Sequence, residues 1–227
     1  MPATRVTGRD RSVSLSTGFR GVLKMAVMRK AKVAPRTALA PADTSARARI
    51  LETATDLFYR EGIRAVGIDT IIARSGVCKM SLYRNFASKD DLVVAFLEYR
   101  DGIYWQWWDH VMAAHPDDAG RQIGDLFASL ARRVSSPAYR GCPFINTSTE
   151  FPDPGHPARA ICRANKRELQ RRLRDLARRA VARDPASLAN QLLLLMEGAY
   201  ASAQNFPARG PAPCLQAAAE ALLAAQR

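Results

Sequence analysis

The sequence predicts an all-α protein. Apolar residues recur at helical spacing in one segment after another, as at Ile50, Leu51, Ala54, Leu57 and Phe58, and no segment alternates with period two. Ser, Asp, Gly and Pro also fall where helices would start and stop. With 227 residues and 48% hydrophobic side chains, the chain can bury one sizeable core, or a small domain joined to a larger one.

The elements follow in order. Residues 1–44 are rich in Ser, Thr, Pro and Arg, lack sustained periodicity, and read as a flexible basic arm. A first helix begins near Ala46 and stops at Gly62, a residue suited to a helix end. A short second helix covers about 68–74, Ser75-Gly76 makes a tight turn, and a third helix covers about 79–84. Ser88 then caps a long helix whose first turn holds Asp90 and Asp91, both favourable at the positive end of the dipole. Its apolar positions are read as Leu92, Phe96, Ile103 and Trp107, and it ends near His115-Pro116. The next helix runs over about 118–134, with Ile123, Leu126, Phe127, Leu130 and Val134 in register. A Pro- and Gly-rich loop is expected from Ser135 to Pro157, then a basic helix to about Arg183. Asp184-Pro185 is a cap followed by a first-turn proline, opening a helix to about Gln204, and the last helix covers about 213–225. The organisation expected is an arm at 1–44, a three-helix head at 45–99 and a larger helical body at 100–227.

Charge narrows the partners. Lys and Arg number 34 against 21 Asp and Glu, a net charge of +13, and the arm alone carries nine basic residues against two acidic ones. Such an excess suits a polyanion. The second basic cluster, Arg163 to Arg183, reads as a solvated helix face. The longest apolar run, Leu192 to Met196, falls far short of the ~20 residues needed to span a bilayer, and no secretory-type apolar segment opens the chain. Four cysteines, Cys78, Cys142, Cys162 and Cys214, show neither a CxxC pair nor metal spacing, which suits a reduced, cytoplasmic setting. His110, His115 and His156 do not make a metal motif either. With no Gly-rich phosphate loop, nucleophile elbow or paired carboxylates, the chain reads as a non-enzyme without metal or cofactor. A helical enzyme using His110, Glu150 and His156 would leave the basic charge unexplained. A non-specific nucleic-acid binder is the other alternative.

Three short helices with a Gly-containing turn between the second and third are the layout of a helix-turn-helix. A short third helix fits the major groove, where each base pair shows a distinct donor and acceptor pattern. The candidate reader is Cys78-Lys79-Met80-Ser81-Leu82-Tyr83-Arg84-Asn85-Phe86. Leu82 and Phe86, four apart, anchor it, leaving Lys79, Met80, Ser81, Tyr83 and Arg84 facing outward. Lys89 adds charge beside helix N–H groups that can bind a phosphate. Thr70 and Asn85 complete the expected DNA-contact set.

The stretch Ile50 to Leu97 resembles the DNA-binding head of the tetracycline-repressor (TetR) family, on Ile50-Leu51, Ala54, Leu57-Phe58, Gly62, Ile71, Gly76-Val77, Leu82-Tyr83, Phe86, Ser88-Lys89 and Leu92. Gly67 stands where that family usually has a Thr or Ser cap, Ile72 where a small residue is common, Cys78 where Ser is common and Met80 where Gly is common. Met80 cannot supply the close backbone approach that Gly allows. The resemblance implies a repressor released from a near-palindromic operator by a small molecule, with a ligand-binding and dimerising body from about residue 100. Small residues such as Gly198, Ala199, Ala201, Ala217 and Ala219 would let helices of a homodimer approach closely. The expected pocket wall is the aromatic run Tyr104-Trp105-Gln106-Trp107-Trp108, Trp105 and Trp108 foremost, with Met112, Phe127, Phe144 and Phe151, and with Asn146, Thr147, Glu150 or His110 as polar groups. Cys142, in Arg140-Gly141-Cys142-Pro143, lies near basic residues that could activate a thiol, against the plainer reading of an inert buried cysteine.

Overall fold

The structure, a computed structural model, describes residues 45–206 and 210–226; the expected basic arm at 1–44 lies outside the described residues. Every regular element in the described residues is helical: α1 (Ala46–Glu61), α2 (Ile68–Ser75), α3 (Lys79–Asn85), α4 (Lys89–Met112), α5 (Ala119–Val134), α6 (Pro143–Glu150), α7 (Pro157–Arg179), α8 (Pro185–Asn205) and α9 (Leu215–Ala224), the last preceded by a 3-10 turn at Ala212–Cys214.

The punctuation in the sequence works as capping chemistry requires. Ser88 Oγ accepts the Asp91 N–H at 3.0 Å, Asp118 accepts from Arg121, and Asp184 accepts from both Ala186 and Ser187 before Pro185 opens α8. Gly67 caps α2 without a side-chain bond. Gly76, at φ 66°, ends α2 in the left-handed region and turns the chain into α3, a conformation costly for other residues.

α1 packs on α2, α3 and α4, and one continuous core runs from Ile50 through Leu92 and Phe127 to Leu223. The register read for α5 is the observed one, with Ile123, Leu126, Phe127, Leu130 and Val134 all buried. α5 packs on α9 and α7 on α8, while α4 leans on α7. Part of the charge of α7 is paired along its own surface: Arg171 with Glu168 and Asp175, Arg178 with Asp175, and Arg172 with Glu168 and with Asp109 of α4. No described helix is long and apolar enough to cross a membrane.

Two expectations are corrected. The segment from Ser135 to Pro157 is not all loop, because residues 143–150 form α6. Pro143 occupies its first turn, where the missing N–H costs nothing, and the Ser/Thr-rich body gives little periodic signal in eight residues. The buried seam of α4 also differs from the one read. Leu92 and Phe96 are buried as expected, but Tyr104, Trp108 and Val111 continue the seam, whereas Ile103 and Trp107 lie at its edge. The reason is polar. The Trp107 indole N–H donates to Ser129 Oγ at 2.9 Å, and the Trp105 N–H to Asp101 at 3.0 Å, so both rings sit where one end meets a partner.

Candidate nucleic-acid interface

The first three helices pack on the N-terminal end of the common core and hold one helix face outward. Leu82 is fully buried in α3, and Phe86 just beyond it is nearly so, with the Arg47 guanidinium 4.7 Å from its ring centre. The opposite face of α3 carries Lys79, Met80, Tyr83 and Arg84, all exposed. Met80 is 72% exposed and Tyr83 45%, which is unusual for large apolar side chains on a rigid two-turn helix. Thr70 is exposed on α2. Lys79 Nζ lies 3.9 Å from Asp69, a solvent-exposed pair of small energetic weight that leaves the lysine available.

Three of the expected contact residues are placed differently from the rest. Ser81 and Asn85 are half-buried, and Asn85 Nδ2 donates 2.8 Å to the Ser81 carbonyl, so its amide helps close its own helix. Lys89 is half-buried at the start of α4; burial lowers its pKa, opposed by the nearby Glu150 and Asp90 carboxylates. No sequence signal placed Glu150 beside Lys89, because they are 61 positions apart.

Glu150, expected in a ligand pocket, instead ties the body to the head. Its carboxylate accepts the Ile63 N–H at 3.1 Å and the Arg64 N–H at 2.7 Å, immediately after Gly62 ends α1. Tyr59, on the last turns of α1, makes a second tie: its hydroxyl accepts the Arg140 N–H at 3.0 Å and donates to the Gly141 carbonyl at 3.2 Å. The Arg140 guanidinium reaches the Arg60 carbonyl at 3.1 Å. His156 stacks on Phe151 at 4.1 Å and faces Asp90 of α4 at 3.5 Å. α4 itself runs through both parts, 24 residues or about 36 Å at ~1.5 Å per residue.

Behind these ties lies a cavity of about 20 Å³, room for about one water-sized group. Tyr59 of α1, Arg100 and Tyr104 of α4, Arg133 of α5 and Tyr200 of α8 line it, and the turn from Tyr139 to Phe144 closes it. Among the expected ligand residues, Tyr104 and Phe144 line this cavity. Phe127 is fully buried core, Trp108 is nearly so, and Trp105 and Met112 are half-buried against the core farther along α4. Asn146 Nδ2 donates to the Arg140 carbonyl at 2.9 Å, fixing the turn from outside. Arg100 and Tyr139 carried no pattern that marked them as lining residues. Both are brought in only by the packing of α4 against the turn after α5.

Inside, the Tyr104 and Tyr200 hydroxyls meet at 3.3 Å, and burial pushes both phenols well above their usual pKa. Cys142 is buried, with Lys166 Nζ 3.7 Å from its sulfur; that lysine is itself paired with Glu197 at 2.6 Å.

Comparison with known proteins agrees with this geometry. The family model for bacterial regulatory proteins of the tetR family matches residues 50–96, and one for a tetracyclin repressor-like C-terminal domain matches residues 119–218. The HTH-type transcriptional regulator YjdC of Escherichia coli is 26% identical over 152 residues, covering 67% of this chain and 80% of that protein. A TetR-family transcriptional regulator from Streptomyces coelicolor superimposes with a TM-score of 0.75 at 32% identity, over 80% of this chain and 95% of its own. A TetR transcriptional regulator from Chloroflexus aurantiacus does so with a TM-score of 0.66 at 28% identity, over 79% and 92%.

Proposed function

The chain belongs to the TetR family of bacterial transcriptional regulators, and on that premise we propose that it is a cytoplasmic, homodimeric repressor that leaves a near-palindromic operator when a small molecule binds its body. The observation that carries the DNA-reading part is the outward face of α3, where Lys79, Met80, Tyr83 and Arg84 project from a helix pinned by buried Leu82. Lys79 and Arg84 supply phosphate or guanine contacts, and Met80 an apolar surface suited to a thymine methyl group. Thr70 and Ser81 stand beside them, with Asn85 and Lys89 nearer the helix ends. The expected partition is an arm at 1–44, a head at 45–99 and a body from residue 100.

Release follows from the ties between body and head. The operator sets the separation of the two reading helices in a dimer, so a small tilt of α4 or of the Tyr59 and Glu150 contacts breaks one half-site. An effector shifts this balance only through its differential affinity for the DNA-free form, typically ~1–3 kcal/mol of coupling. Dimerisation is assigned to α8 and α9, where Leu194 is 72% exposed and Gly198 and Ala201 lie exposed on following turns.

The test is selection of bound fragments from the source genome by the full chain, followed by competition with scrambled DNA. Recovery of one inverted-repeat sequence that scrambled DNA does not displace is the expected result. Equal competition by scrambled DNA would establish non-specific binding instead.

A further inference from the structure

We propose that the cavity behind Tyr59 is an anion site that takes a small carboxylate, held between Arg100 and Arg133. The assignment rests on the effector reading above and names the chemistry of that effector. Two guanidinium groups line one cavity, and neither has a carboxylate partner among the described residues. Arg100 is half-buried with its guanidinium carbon 4.3 Å from the Tyr59 ring centre, and Arg133 lies 5.1 Å from the Trp107 ring centre and 6.0 Å from that of Tyr104. Burial lowers the pKa of Arg100, and the Arg133 cation lowers it further, partly opposed by Tyr59.

The acids nearby are already committed. Asp101 accepts from Trp105 and from Asn165, and Glu197 is paired with Lys166. The site therefore keeps two uncompensated positive charges, a costly arrangement that an anion relieves. A further donor is in place: Tyr139 lines the cavity, and its buried hydroxyl has no hydrogen-bond partner among the described residues.

The walls define the rest of the ligand. A guanidinium presents paired N–H donors that match the two oxygens of a carboxylate. Tyr59, Tyr104, Tyr200 and Phe144 surround them with aromatic faces. The present volume holds about one water-sized group, so any carboxylate must displace the turn at Tyr139 to Cys142. That turn is the segment hydrogen-bonded to Tyr59 of the head, so binding and the loss of a head contact are one event.

The test is calorimetric titration of the full chain with sodium acetate and sodium benzoate, with benzamide and sodium phosphate as controls. A carboxylate is expected to bind, benzamide not to, and phosphate more weakly. Arg133→Gln and Arg100→Gln should each weaken the carboxylate by about ten- to hundredfold, the loss of one charged hydrogen-bonding partner. Arg133→Lys, which keeps the charge, should restore part of the binding and guards against a variant that fails to fold. The assignment is overturned if neither carboxylate binds, if benzamide or phosphate binds as tightly, or if both glutamine variants bind as the native chain does. Operator affinity is measured in parallel. Carboxylate binding that leaves it unchanged would keep the anion site and refute the release reading, whereas release by a neutral compound alone would do the reverse.

Discussion

The Glu150 carboxylate holds the backbone N–H of Arg64 at 2.7 Å, across 86 positions of sequence. With the Ile63 N–H on its other oxygen, it satisfies two backbone donors of the turn that follows α1. An acid at the end of α6 thus holds the turn that follows the first helix of the head. Removing that side chain strands both donors. Glu150→Ala should cost ~1–3 kcal/mol of stability by thermal or denaturant unfolding, and Glu150→Gln, which retains one acceptor, clearly less. Equal melting of native and Ala proteins would show that water replaces the carboxylate without penalty.

The reading face makes the opposite forecast. Lys79→Ala, Met80→Ala and Tyr83→Ala should each weaken operator binding by ~1–3 kcal/mol while leaving the melting temperature close to native. Leu82→Ala, at a fully buried position, should lose ~2–5 kcal/mol of stability instead. A variant of Lys79, Met80 or Tyr83 that unfolds early would mean the side chain packs inward.

Leu194 tests the assembly. Leu194→Glu puts a charge on an exposed apolar position of α8, and in a dimer interface it would be desolvated without a partner. Light scattering should then show a monomer with weakened operator binding and a secondary-structure spectrum like the native one. An unchanged dimer would move the interface elsewhere.

The basic arm should act through charge. Deleting residues 1–44 removes nine Lys and Arg, fewer counterions are released on binding, and the slope of affinity against salt should flatten. Site preference should stay the same. A changed preferred sequence would mean that the arm enters a groove.

Alkaline stability follows from the cavity phenols. Tyr104, Tyr139 and Tyr200 all have their pKa raised, foremost by burial. The fold favours their neutral form, so this contribution is complete below about pH 10, the unfolded value, and is lost as pH rises beyond it. In a spectrophotometric titration these three phenols should ionise only together with unfolding. Tyr104→Phe with Tyr200→Phe should shift the alkaline transition upward.

The sequence by itself determined the class of fold, the three-helix head and the face of α3 that points outward. Those depend on local causes: helical spacing of apolar residues, caps at Ser88 and Asp184, and the left-handed glycine at Gly76, all readable within a few positions. Only the tertiary structure decided what the body does with its polar groups. The aromatic run at Tyr104 to Trp108 suggested a pocket, yet of that run Tyr104 alone lines the cavity, beside Arg100 one turn earlier. Glu150 looked like a pocket acid and instead holds the turn after a distant helix. Such placements join residues dozens of positions apart, with no periodicity linking them. They arise because buried donors, acceptors and charges must find partners wherever the packed helices bring them.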